Sequence, residues 1–317
     1  MSNQITDILH PMNSLQLFGF NKEFGKFLHI YDKNKLPKVI LLTGDKGIGK
    51  FTFIFHFINY IISANSEYPY NKENFLINSE NLGYKRLISN TEQNFNYIGS
   101  LNPGAASIED IRNIKKNYYK SSLNNLSRFT ILDDVELLNI NAANALLKLI
   151  EEPSSYDYFI LINNKKRDMI STLKSRSLEF KLFLNKNYKS KILDFLKKKF
   201  NIKKNFLDKY LDTTTPGSLI RFYYLLDQLK VNENEDHLLI IKKIINDYKK
   251  NKYQINLDLV IFLIDIKFSF LSKYNNNTLE LLDVKKEITK LFFQYRNFNL
   301  NTDAVINKLE SYLNYVR

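Results

Sequence analysis

The chain has 317 residues, 44% of them hydrophobic and 25% charged, which supplies a sizeable core, exceeds one small domain and excludes wholesale disorder. It has no cysteine, so disulfides, thiolate zinc sites and cysteine nucleophiles are excluded; His10, His29, His56 and His237 lack ligand spacing, and no metal held by the protein alone is expected. A formal charge of +13 leaves two readings open: direct contact with DNA phosphates, or a solvated surface of A/T-biased composition, since only eight of the 46 basic residues are Arg.

Residues 1–7 lack the basic-then-apolar order of a signal peptide. The most apolar stretch, residues 257–270, is interrupted by Asp258, Asp265 and Lys267, too often for a membrane span. A soluble, cytoplasmic protein is expected. Short apolar runs at 39–43, 95–98, 129–132, 159–162 and 178–182 alternate with helical patterns over the first 182 residues, which predicts an α/β domain with a parallel sheet covered on both faces. One helix starts at Ser107 with Asp110 three residues on, a capping-box-like pattern. Another runs from about 141 to 152, burying Ala142, Ala145, Leu146 and Leu149, and stops before Pro153.

Residues 183–232 read as a small Lys-rich helical unit closed by the linker Asn232-Glu233-Asn234-Glu235-Asp236. Residues 218–317 hold neither Gly nor Pro, and the remainder, 233–317, is predicted all-helical. Leu238, Ile241, Ile245 and Tyr248 share one helical face there, and 257–272, 279–294 and 302–315 have similar spacing.

After the first strand comes Gly44-Asp45-Lys46-Gly47-Ile48-Gly49-Lys50, then the helical pattern from Phe51. Strand, glycine loop and helix are what a P-loop requires: glycines let backbone N–H groups approach phosphate, the helix N-terminus favours the anion, and Lys50 reaches the β- and γ-phosphates. The usual motif ends in Ser or Thr, whose hydroxyl ligates Mg²⁺, but here the position holds Phe51, and Thr52 lies about 100° further round the helix. A carboxylate pair, Asp133-Asp134, follows the run at 129–132 and suits the metal-holding strand end of such sites, with Asp134 one methylene shorter than the usual Glu. ATP binding without efficient hydrolysis is expected.

Taken together these residues resemble the AAA+ clamp-loader family, from about His10 to the C-terminus and most strongly over 13–182. Residues 13–19, including Leu17 and Phe18, resemble the family's adenine-contacting box, and 139–153, with Asn141-Ala142-Ala143-Asn144-Ala145-Leu146-Leu147-Lys148 and Glu151-Glu152-Pro153, resemble its most distinctive helix. Leu173-Lys174-Ser175-Arg176-Ser177 resembles its Ser-Arg-Cys motif, which implies that Arg176 is a finger entering the ATP site of the adjacent subunit. By the same resemblance Asn163, or Asn164 if the register slips, falls at sensor 1, and Gly217 falls where hydrolysing relatives carry the sensor 2 arginine, with Arg221 a helical turn later. The family's four-cysteine zinc module is replaced by the Asn-rich stretch 66–94.

The resemblance implies a P-loop AAA+ domain (1–182), a helical lid (183–232) and a helical collar for oligomerisation (233–317). It further implies a non-hydrolysing subunit that joins ATP-hydrolysing gamma or tau subunits and delta to place the beta sliding clamp on primed DNA. The alternative is an ATP-hydrolysing gamma/tau-like clamp loader or another AAA+ DNA-repair ATPase.

Overall fold

The computed structural model describes residues 10–99, 106–120, 127–165, 167–274, 278–298 and 300–315. The chain divides into two compact units, one reaching to Ile220 and one from Arg221 onward. In chain order the first contains α1 (Asn21–Asp32), β1 (Val39–Thr43), α2 (Lys50–Ser63), α3 (Leu82–Ile88), β2 (Phe95–Ile98), α4 (Ile108–Lys120), β3 (Arg128–Leu132), α5 (Ile140–Ile150), β4 (Asp157–Asn163), α6 (Ser171–Ser175), β5 (Leu178–Lys181) and α7 (Lys186–Lys199). Helix α8 (Pro216–Gln228) begins in this unit.

All five strands fall on the predicted apolar runs and pair in parallel in the order β2-β3-β4-β1-β5. Side chains alternate between sheet faces. In β1, Ile40 and Leu42 join a core with α1 and α2, while Val39 and Leu41 join a second core with α5 and α6, so an unbroken apolar run is buried on both sides. The first core is built largely of phenylalanine. Phe53 meets Phe24 and Phe27 edge to face at 5.5 and 5.2 Å, the geometry that ring quadrupoles favour.

Capping follows the sequence pattern at α4, where the Ser107 hydroxyl accepts from the Asp110 N–H at 3.1 Å and the Ser107 N–H donates to the Asp110 carboxylate at 2.8 Å. In α5 the buried face is Ala142, Ala143, Leu146 and Ile150, so the predicted set is corrected by roughly a fifth of a turn. Ala145 and Leu149 are half-buried instead, and line a groove of about 260 Å³ with Ile108 and Ile111 of α4. Helix α5 is apolar over more than one stripe, and periodicity alone does not say which stripe meets the sheet.

The Asn-rich stretch 66–94 is tied by its own amides. Asn81 caps α3 at Tyr84 N–H (3.1 Å) and donates to Ser66 Oγ (2.6 Å) and the Tyr68 carbonyl (2.7 Å), and Asn71 Oδ1 accepts from the Glu73 and Asn74 N–H groups at 3.0 Å each.

Beneath this stretch His56 is fully buried on α2, with Nε2 2.9 Å from the Ser14 carbonyl and Nδ1 3.0 Å from the Tyr70 hydroxyl. A carbonyl only accepts, so Nε2 carries the proton and Nδ1 of the neutral ring accepts from Tyr70. Burial drives His56 from 6.5 down to about 4. Because the folded state resists protonation, this site's contribution is fully present above pH 6.5 and is lost as pH falls toward 4, a loss of about 3 kcal/mol. Urea midpoints measured across that window are expected to fall with acid, and to fall less steeply in His56→Phe.

The second unit carries α9 (His237–Asn251), α10 (Gln254–Tyr274), α11 (Thr278–Phe298) and α12 (Thr302–Tyr315). Asp236 caps α9 by accepting from the Leu238 and Leu239 N–H groups, and Ile240, Ile241, Ile244, Ile245 and Tyr248 form its buried face. Tyr248 packs on Tyr295 of α11, whose hydroxyl lies 2.8 Å from Thr302 Oγ1 at the start of α12. Among the described residues no helix is long and apolar enough to cross a membrane.

Candidate functional site

Sheet order brings the candidate residues together. With β4 between β1 and β3, the loops leaving the carboxyl ends of these three strands are neighbours. The loop after β1 turns on two glycines with left-handed backbone, Gly47 (φ 84°) and Gly49 (φ 100°), and Gly49 occupies the N-cap of α2.

Lys50 opens that helix. Its ammonium folds back into the loop and donates to the carbonyls of Gly44 (2.6 Å) and Asp45 (2.9 Å). Burial lowers Lys50 to about 8, against the opposing field of Asp133, Glu136, Asp45 and Asp134.

The next position is turned to the core. Phe51 is buried, with its ring 4.6 Å from Tyr97, stacked on Phe55 at 6.0 Å and edge-on to His10 at 6.0 Å. It offers no oxygen to a cation. Thr52 is half-buried one position further along α2, and Ile48 is buried within the loop, joining the core on the α1 and α2 side.

Asp133 and Asp134 follow β3. Asp134 sits in left-handed backbone (φ 54°), is buried, and donates its N–H to Asp133 Oδ1 at 2.8 Å. Burial, and then the neighbouring Asp134, push the Asp133 carboxyl upward. Asn164 spans the pair, donating to Asp133 Oδ1 at 2.8 Å and Asp134 Oδ1 at 2.7 Å, while its own N–H meets both Glu136 oxygens at 3.2 Å. Asn163 ends β4 and instead accepts from the Lys165 N–H at 2.8 Å. Of the two candidate asparagines, Asn164 is thus the one on the carboxylates. Among the described residues no group of three or more His, Asp or Glu has a metal-holding arrangement.

Leu17 is buried in the α1 and α2 core, and Phe18 lies 4.4 Å from the Phe195 ring of α7. Gly217 is the second residue of α8, and its N–H donates to the Gly47 carbonyl at 3.1 Å. Glu136, Thr215 and Ser218 also stand at this cluster, without a motif in the sequence that marks them. The Thr-Pro start of α8 is the local pattern of an N-cap with proline at N1, whereas its contact with the glycine loop has no local pattern.

Arg176 caps the C-terminus of the short α6, away from this cluster in the chain. Its side chain is 42% exposed, and the guanidinium donates to the Thr172 carbonyl at 3.3 Å and pairs with Glu151 Oε1 at 3.3 Å. Glu151 belongs to the Glu-Glu-Pro end of α5, so two distinctive segments meet at one exposed cation.

A five-stranded parallel sheet with a glycine loop and lysine after β1 and an acidic pair after β3 is the P-loop class of α/β fold. A sequence model of the family described as "DNA polymerase III, delta subunit" matches residues 21–185, just over half of the chain, and the chain belongs to that family. It is 28% identical over 300 residues to the DNA polymerase III subunit delta' of Buchnera aphidicola subsp. Acyrthosiphon pisum, covering 89% of this chain and 86% of that one. Against the DNA polymerase III subunit gamma/tau of Mycoplasma genitalium it is 25% identical over 290 residues, which is 89% of this chain and 47% of that one. The crystal structure of a DNA polymerase III gamma subunit-related protein from Thermotoga maritima superposes with a TM-score of 0.46 at 17% identity, covering 92% of this chain and 99% of that one.

Proposed function

We propose that this chain is a delta-prime-type clamp-loader subunit of bacterial DNA polymerase III, which completes the ATP site of a neighbouring subunit and does not hydrolyse ATP itself. It works in the cytoplasm with ATP-hydrolysing gamma or tau subunits and with delta, and through that complex acts on the beta sliding clamp and primed DNA. Residues 1–182 are its AAA+ domain, 183–232 its lid and 233–317 its collar. Family membership and the delta' relative support this reading.

The observation that carries it is a contrast. Arg176 is exposed, with Glu151 and the Thr172 carbonyl beside its guanidinium, whereas the chain's own loop ends in a buried Phe51 where a metal-binding hydroxyl belongs. Asp134, in left-handed backbone and bonded to Asn164, is committed to structure. A guanidinium that is always charged and planar suits an incoming triphosphate.

Two measurements test the reading. The purified chain with Mg²⁺ and ATP is expected to turn over well below about 1 s⁻¹, the lower end of ordinary enzyme rates. Faster turnover by the isolated chain points to the gamma/tau-like or repair-ATPase alternative. In a reconstituted complex with a gamma-type partner, Arg176→Ala is expected to lower the partner's rate, and an unchanged rate removes the finger role.

A further inference from the structure

The segment that opens α8 is bonded directly to the glycine loop. Thr215 donates its hydroxyl to the Lys46 carbonyl at 2.7 Å, and the Ser218 hydroxyl reaches the same oxygen at 3.4 Å. The Gly217 N–H donates to the Gly47 carbonyl at 3.1 Å. Thr215 Oγ1 also lies 3.4 Å from the Ser218 N–H, in the manner of an N-cap. The first N–H groups of a helix have no partner within it, and at α8 a carbonyl of the glycine loop meets one of them.

The contact is close as well as polar. A Cβ placed on Gly217 would lie 2.6 Å from the Gly47 carbonyl oxygen, and one on Gly47 would lie 2.5 Å from Thr215 Oγ1 and 2.8 Å from Ser218 Oγ. Glycine at 217 therefore has a local reason: only a bare backbone fits against the loop. The approach to this contact is braced from α7, where Lys189 donates to the Thr214 carbonyl at 2.8 Å and Lys186 pairs with Asp212 at 2.7 Å.

The loop is thus gripped twice, by the Lys50 ammonium on the Gly44 and Asp45 carbonyls and by residues 215–218 on the next two carbonyls. A phosphate in the loop competes with the carbonyls for Lys50, and any shift of the loop that admits it has to give up the contacts on the Lys46 and Gly47 carbonyls. We propose that Thr215, Gly217 and Ser218 form a latch that keeps the glycine loop in this closed form, so that a nucleoside polyphosphate enters only when the latch opens. This rests on reading residues 44–50 as a phosphate loop. It also fixes the start of α8 on the loop without any ligand, which suits a subunit whose finger keeps its place while the neighbour's nucleotide turns over.

Affinity for a ligand is reduced by the fraction of molecules in the competent state, so a latch closed nine-tenths of the time raises the apparent Kd about tenfold. The probe is a fluorescent ADP with Mg²⁺, titrated into the isolated full chain. Gly217→Ala pushes on Gly47 while favouring the helix itself, because alanine is the better helix former. Thr215→Val with Ser218→Ala removes the hydroxyl bonds without adding bulk.

Both variants are expected to bind several-fold tighter than wild type, up to about tenfold for that closed fraction, Thr215→Ser is expected to match wild type, and adding Lys50→Ala is expected to abolish the gain. Equal affinities, an absence of binding in every variant, or a gain that survives Lys50→Ala each overturn the latch. A second readout on wild type is amide exchange at Gly217 and Ser218, which should speed up when nucleotide is bound; nucleotide bound with unchanged protection also overturns it. None of these measurements touches Arg176, so their failure leaves the finger reading intact, and an unchanged partner rate in Arg176→Ala leaves the latch intact.

Discussion

Arg176→Ala, carried into a complex with an ATP-hydrolysing gamma-type partner, is expected to lower the partner's DNA- and clamp-stimulated turnover by about 10³-fold, the lower range for an arginine finger. The loss should appear equally in kcat and kcat/KM, because a finger, the role proposed for Arg176, acts when charge develops on the transferring phosphoryl group. Arg176→Lys should recover little of it, since an ammonium is a point charge without the planar fork. The mutant chain itself should stay folded. Arg176 and Glu151 are both about half-exposed, and such surface pairs contribute less than about 1 kcal/mol. A partner rate that is the same with Arg176 and with alanine sinks the proposed function, whatever the chain's own loop does.

The second large effect concerns stability. Arg128 and Asp157 face each other as register partners at the start of β3 and β4, with Nε 2.7 Å from Oδ1 and side chains only 10% and 7% exposed. Lys38 approaches the same end, its cation 3.9 Å from the Tyr158 ring centroid. Removing one member of such a pair leaves a buried charge without its counter-ion. Asp157→Ala is therefore expected to cost about 3–5 kcal/mol in urea unfolding. The paired change Arg128→Met with Asp157→Leu should recover most of that cost, because the desolvation of both charges disappears with the charges. A single mutant that loses less than about 1 kcal/mol would show that water relieves the arginine.

Much of the first unit was legible because its signals are local. Apolar runs of four or five residues between helical patterns marked all five strands. The Ser107 to Asp110 spacing marked the start of α4, and glycine spacing before Lys50 marked the turn into α2. The asparagine was harder. Asn163 and Asn164 are adjacent, and one step along a strand reverses the side of the sheet a side chain meets. Lys165, in left-handed backbone at φ 56°, ends the strand in a turn bonded to Asn163, and that turn sets Asn164 on the carboxylates.

By itself, then, the amino-acid order determined the alternation of strands and helices, the glycine loop with its lysine, the missing hydroxyl at Phe51 and the arginine at 176. Each of these depends on residue type and spacing over a few positions. Tertiary structure alone decided that Lys50 grips its own loop, that Glu151 meets Arg176 and that Gly217 presses on Gly47. Those contacts join residues from 6 to 170 positions apart, and their geometry comes from how packed elements cross, which no local pattern encodes.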